Sequence, residues 1–256
     1  MAKIGMTGDD MLNIAIGNVL KYSSVNKFGR SLDVDSGDDT DIWDLATQAI
    51  WIPPTQARIH AIVSTSANDT LLGVGARTIK IYGLTTWSTK EVSETIELNG
   101  ATPVNTANSY VIIHRMKVTA SGATAINSGI LTATAATDGT ITAQIVANEG
   151  QTQMAIYGIP SNLKAYMKKY YVSAIKAASS LGVEVKLLVN TAPDSQVLNY
   201  LVKHTIGIAT EGTNYASHLF EPYFGIQGPA IIKIQANSSA NNTDVSAGFD
   251  LILIDN

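Results

Sequence analysis

Four histidines, His60, His114, His204 and His218, are the side chains best suited to hold a metal or carry a proton near neutral pH. None stands at ligand spacing from another and no H-x-H pair occurs, so a three-histidine zinc site would have to assemble in space. His60 and His114 fall within alternating stretches, where a satisfied strand histidine is the simpler reading. The densest acidic run is Asp33-Val34-Asp35-Ser36-Gly37-Asp38-Asp39-Thr40-Asp41-Ile42-Trp43-Asp44. Alternating aspartates could fold round calcium, but Gly37 and Asp38 occupy the fifth and sixth places in the reverse of the EF-hand order. The last ligand would be Asp44 rather than a glutamate. A solvated acidic turn competes with the calcium loop.

Lys27-Phe28-Gly29-Arg30, with Trp43 further on, pairs cations with aromatic residues, the types favoured at protein interfaces. They read either as a partner-binding anchor or as a turn covering their own domain. No G-x-S-x-G elbow and no Walker-type loop occurs, and Gly73-Val74-Gly75-Ala76 is too short to cradle phosphates. Asn68-Asp69-Thr70, Asn241-Asn242-Thr243, Tyr215 and Tyr223 could line a sugar-binding face, or serve as ordinary loop residues. No catalytic set emerges, so the expectation is a protein that is not an enzyme and needs no cofactor or metal.

Composition sets the frame for these residues. A hydrophobic share of 45% with mean hydropathy +0.12 is ample for a packed core. Charged residues make up only 15%, replaced by Thr, Ser, Asn and Ala, a surface that suits packing against copies or onto a larger assembly. The net charge of −4 gives no support to nucleic-acid binding. With no cysteine, disulfides, Cys-based zinc sites and thiol nucleophiles are all excluded. Asp9 and Asp10 interrupt any signal-peptide core, and no apolar run approaches the ~20 residues that span a membrane. The expectation is a soluble protein made in the cytoplasm, without a membrane partner.

The stretch from Val74 to Gly100 displays the grammar of the chain. Ile79 and Ile81 point one way, Thr78 and Lys80 the other; Val92, Ile96 and Leu98 then share a face, with Glu94 as a misfit that a bulge or exposed strand end could explain. The same period-2 pattern predicts strands at 57–66, 109–118, 130–137, 140–147, 153–159, 183–190, 231–236 and 247–254. Asp138-Gly139 predicts a type I′ hairpin turn. Residues 163–178 and 195–204 fit a helix as well as a strand, although Tyr170, Tyr171 and Val172 favour a strand in the first. At the N-terminus, Thr7 could cap a short helix containing Met11, Leu12, Ala15, Val19 and Leu20. Val111-Ile112-Ile113 and Leu251-Ile252-Leu253-Ile254 carry apolar residues on both faces, which suggests a large closed core or a subunit interface. These patterns together predict an all-β fold, a large antiparallel jelly-roll-like β-sandwich over residues 46–256 behind an N-terminal arm at 1–45.

The succession K-F-G-R at 27–30, the acidic stretch 33–44 ending in I-W-D, S-T-S-A-N-D-T at 64–70, G-L-T at 83–85, L-N-G at 98–100 and S-A-G-F-D-L at 246–251 resembles structural proteins of tailed bacteriophages, chiefly those of marine bacteria. The likeness extends over residues 25–256. Leu45-Ala46-Thr47 stands where Gly-rich sequence is usual, so the turn out of the arm differs. The resemblance implies a virion component and no active site. It points to a capsid cement or decoration protein, usually a homotrimer, with the major capsid protein as partner. The alternative it leaves open is a tail or head-fibre component that meets the host surface, with carbohydrate binding on its loops.

Overall fold

The computed structural model describes residues 8–45, 47–175, 182–195, 199–209 and 214–256. The expected cap Thr7, Ala178 and the Val197-Leu198 pair lie outside them. One helix, α1 (Asp10–Ala15), comes first, followed by β1 (Tyr22–Val34), β2 (Thr40–Asp41), β3 (His60–Ser64), β4 (Ala76–Leu84) and β5 (Val92–Glu97). Next come β6 (Val104–Asn105), β7 (Ile112–Ser121), β8 (Leu131–Ala135), β9 (Ile141–Ile145), β10 (Ile156–Ile159) and β11 (Leu163–Ile175). The chain closes with β12 (Gly182–Asn190), β13 (Leu201–Ala209), β14 (Tyr215–Gln227), β15 (Ala230–Ser238) and β16 (Thr243–Asp255).

Two sheets, ordered β1-β16-β11-β14 and β10-β15-β12-β13, are antiparallel throughout and face each other across one core. Taken in chain order, the first, eighth, third and sixth of these strands make one sheet, and the second, seventh, fourth and fifth the other. That interleaving is the order of a jelly roll. Tyr170, Met167, Phe249, Leu251, Leu187 and Ile234 fill its interior. Between the first and second jelly-roll strands the chain inserts a second sandwich, with sheets β6-β3-β8-β9 and β5-β4-β7. Its core holds Ile62, Ile79, Ile81, Ile112, Ile113, Met116 and Leu131.

One layer of backbone serves as a wall for both cores. Side chains alternate across a strand, so Ile156 and Ile231 face the second core while their neighbours Tyr157 and Ile232 face the first. Ile42 and Trp43 divide in the same way. Ile112 and Ile113, neighbours on β7, are both buried in the second core, each 0% exposed. A subunit interface is not needed to explain those runs.

The jelly roll and antiparallel sandwich appear as the residue pattern predicts, but the domain boundaries differ. Residues 22–34, expected in a separate arm, form an outer strand of the jelly roll, paired with β16 in unbroken register from Tyr22 to Ser31 and again, after a bulge, at Val34. Residues 46–256 hold two cores rather than one. The helix is shorter than expected because Asp9 caps it, its Oδ1 accepting from the amides of Met11 at 2.9 Å and Leu12 at 3.1 Å, and Gly17 leaves the helix with φ +77°. The β8–β9 turn places its positive φ at Thr137 and Gly139, so it is not type I′. Residues 163–175 are strand, and β13 occupies the end of the other ambiguous stretch.

Candidate functional site

Three knots of polar contacts position the side chains singled out in the sequence. The first joins the ends of the chain. β1 and β16 align Lys27 with Phe249, Phe28 with Gly248, Gly29 with Ala247 and Arg30 with Ser246. K-F-G-R thus lies directly against S-A-G-F. Beside them Asn26 Nδ2 donates to Asp250 Oδ1 at 2.6 Å, across 224 residues of sequence. Gly29 is required here: a Cβ would come within 2.5 Å of the Ile42 carbonyl oxygen and 2.4 Å of the Ala155 nitrogen. Arg30 Nη2 donates to Asp44 Oδ2 at 2.8 Å and to Glu149 Oε1 at 3.0 Å, tying β1 to the I-W-D turn and to the insertion.

The second knot centres on Asp41, fully buried. Its Oδ2 accepts from Lys233 Nζ at 2.7 Å and the Trp51 amide at 2.8 Å, and its Oδ1 from Gln235 Nε2 at 3.1 Å. Burial pushes the Asp41 carboxyl up, against the pull of Lys233. The Tyr200 ring sits 4.3 Å from Lys233 Nζ, a cation–π contact. Trp43 is buried nearby, its indole donating to the Gln48 carbonyl at 3.0 Å.

The third knot is in the insertion. Buried Asp69 accepts from Ser64 Oγ at 2.6 Å and from the amides of Ala76, Ser128 and Gly129 at 2.8 Å each. Its own carbonyl takes the amide of Gly100 at 2.8 Å, where φ is +59°. The S-A-N-D-T and L-N-G segments therefore meet. Glu94 reaches the 107–110 turn instead of sitting on an exposed strand end: it accepts from the Ala107 amide at 2.8 Å and the Tyr110 hydroxyl at 2.7 Å.

Of the four residues expected to anchor a partner, Lys27 and Trp43 are buried within the chain, Arg30 is paired inside it, and Phe28 is half-buried. The acidic run does not converge on one point. Asp35 accepts from the Asn242 amide, Asp39 pairs with Lys186, Asp41 with Lys233 and Asp44 with Arg30. Among the described residues no group of three His, Asp or Glu is arranged to hold a metal. His204 and His218 stack at 3.9 Å between ring centroids, with Tyr170 hydroxyl 2.6 Å from His204 Nδ1. His60 and His114 are buried apart from them in the insertion. No helix among the described residues is long and apolar enough to cross a membrane.

The outward-facing candidate is the far edge of the jelly roll. β13 and β14 end their sheets, and they expose Leu201, Val202, Tyr215, Leu219 and Tyr223 by 43% to 54%. Pro222 lies within β14, on an edge, where a strand proline is tolerated. Tyr215 and Tyr223 are the sequence's candidates for a sugar-binding face, Leu201 and Val202 belong to its helix-or-strand stretch 195–204, and Leu219 carries no sequence signal.

No protein-family model matches the chain, and no curated protein matches it. Among solved structures, one match is titled "The 2.6A structure of Infectious Bursal Virus Derived T=1 Particles". It is 11% identical, covers 92% of this chain and 70% of that one, and has a TM-score of 0.25, too low for any inference about fold or role.

Proposed function

We propose that the chain is a non-enzymatic structural protein of a tailed-phage virion. Within the virion we assign it to the head, as a cement protein that binds the outer surface of the major capsid protein shell as a homotrimer. The observation that carries this reading is the spatial meeting of the phage-like segments. K-F-G-R lies in register against S-A-G-F-D-L, I-W-D packs on Gly29 and Arg30, and S-A-N-D-T closes on L-N-G. A chance likeness would scatter its segments; these sit at the positions that hold both sandwiches together, as expected of a shared architecture. The jelly roll recurs in viral capsid domains but also in lectins and cupins, so it supports the reading only by analogy.

The β13–β14 edge is the surface assigned to self-association, because an exposed strand edge bearing large apolar groups invites pairing. Many modest contacts made together on a capsid lattice give avidity without a deep site. The half-exposed Tyr215 and Tyr223 favour a second reading, a tail or head-fibre component whose edge meets host carbohydrate. Cryo-electron microscopy of the assembled particle separates the two. Density repeated over the icosahedral shell supports the cement assignment, and density confined to the tail or one vertex overturns it.

A further inference from the structure

Where β1, β4, β7 and β10 come together, a cavity of about 230 Å³ opens between the jelly roll and the insertion, lined by Lys27, Tyr82, Glu91, His114, Arg115 and Tyr157. It is smaller than the roughly 300–1,000 Å³ of sites for drug-sized ligands, so its occupant must be small. Its chemistry is unlike that of the knots, where each charge meets its partners. Lys27 is 2% exposed, and its Nζ has one acceptor among the described residues, the His114 carbonyl oxygen. His114 is equally buried. Its Nε2–H donates to Glu91 Oε2 at 2.5 Å, which leaves Nδ1 buried with no hydrogen-bond partner among the described residues. Arg115 uses one Nη2 hydrogen on the Asn26 carbonyl at 2.8 Å, keeping donors free in its planar fork. Lys117 adds a further cation at the rim. Arg115, Lys117 and the buried Lys27 amine thus face one carboxylate.

We propose that this cavity binds a small oxyanion, a carboxylate or a phosphate. Arg115, Lys27 and Lys117 neutralise the anion. The assignment stands apart from the virion reading and would survive its failure.

A protonic signature distinguishes this site from a loose surface contact. Burial, and then the Arg115 charge, hold the Lys27 amine well below the ordinary lysine range, while Glu91 pulls the other way. Burial likewise lowers His114, against the pull of Glu91. The remaining groups facing this point are Arg115, Lys117, Tyr82 and Tyr157. An anion placed beside Lys27 favours the charged amine, so binding takes up protons and strengthens as pH falls.

The test is calorimetric titration of the full chain at several pH values between about 6 and 10 with sodium glucuronate, with inorganic phosphate and with glucose, each in two buffers of different ionisation enthalpy. At least one anion is expected to bind with net proton uptake, and glucose not to bind. Binding of glucuronate alone assigns a carboxylate; binding of phosphate alone assigns a phosphate. Arg115→Gln should weaken binding by about tenfold or more, the loss of a charge-assisted partner. Lys27→Met should abolish the buffer dependence, and circular dichroism confirms that each variant is folded. No binding of either anion by the folded wild type, equal binding of glucose, absence of proton uptake, or unchanged affinity in folded Arg115→Gln would each overturn the proposal.

Discussion

Lowering the pH from about 7 to about 5 perturbs a histidine that the insertion buries in neutral form. His60 opens β3 and is 0% exposed. Its Nδ1–H donates to the Arg58 carbonyl at 2.9 Å, and its Nε2 is buried with no partner among the described residues. Protonation would add a second N–H and a charge where nothing accepts either, and burial accordingly pushes the imidazole down to about 4 from the ordinary 6.5. The unfolded chain binds this proton near pH 6.5 while the folded chain refuses it until about pH 4. The unfolded state therefore holds more protons through that window, and stability falls as the pH falls. The full gap corresponds to about 3 kcal/mol, and about 2 kcal/mol of it is lost by pH 5. All three tryptophans pack on the second core, where His60 resides, so their fluorescence reports on the right sandwich. Urea titrations followed by fluorescence at the two pH values measure the loss. Because burial also lowers His114 and His204, the contribution of His60 is read as the difference between wild type and His60→Phe. If His60→Phe loses as much stability as wild type between the two pH values, the reasoning is refuted.

The other knots and the exposed edge give three further expectations. Asp41→Ala leaves the Lys233 ammonium buried without its carboxylate and should cost about 3–5 kcal/mol in urea denaturation; the double variant Asp41→Asn, Lys233→Met should recover much of that. Gly29→Ala drives a methyl into the Ile42 and Ala155 backbone and should cost about 3 kcal/mol or more, seen as a lowered thermal midpoint. The proposed homotrimer predicts a trimeric wild-type sedimentation mass that Val202→Asp with Leu219→Asp lowers to monomer with the fold intact by circular dichroism; a trimeric mass in that variant removes the β13–β14 edge from the interface.

Legibility in the sequence followed the buried face of each strand. β4, β8 and β12 were readable because their inward positions are apolar and their outward ones polar. β1 was not, because its inward positions are Val25, Lys27, Gly29 and Ser31. Lysine is there for a cavity, and glycine for a close backbone approach. β14 was hidden by Pro222 and by its place on an edge with little buried face. Jelly-roll character was legible, but the insertion was not, since its boundaries depend on pairings such as Tyr22 with Ile254. The anchor residues misled for a physical reason. Lys27, Arg30 and Trp43 do lie at an interface, but it is the one between two sandwiches of the same chain, and contacts between domains draw on the same residue types as contacts between proteins. Sequence composition marks such a surface without saying what covers it.

That internal interface sets how the molecule should unfold. Domains joined by a modest polar contact melt separately, whereas here the wall is shared. Ile42 and Trp43, Ile156 and Tyr157, and Ile231 and Ile232 each place one side chain in either core. Removing the insertion would expose one face of β10 and β15, and removing the jelly roll would strip the other. Asp41 reinforces the coupling, because the same carboxylate holds Lys233 of the jelly roll and the Trp51 amide, whose side chain packs in the second core. Scanning calorimetry should therefore give one transition whose calorimetric and van't Hoff enthalpies agree, despite two cores in 256 residues. Asp41→Ala, by breaking the coupling at its centre, should lower the midpoint and begin to separate two transitions. Two resolved transitions in the wild type would mean that the shared layer does not couple the cores, and that each sandwich is stable without the other.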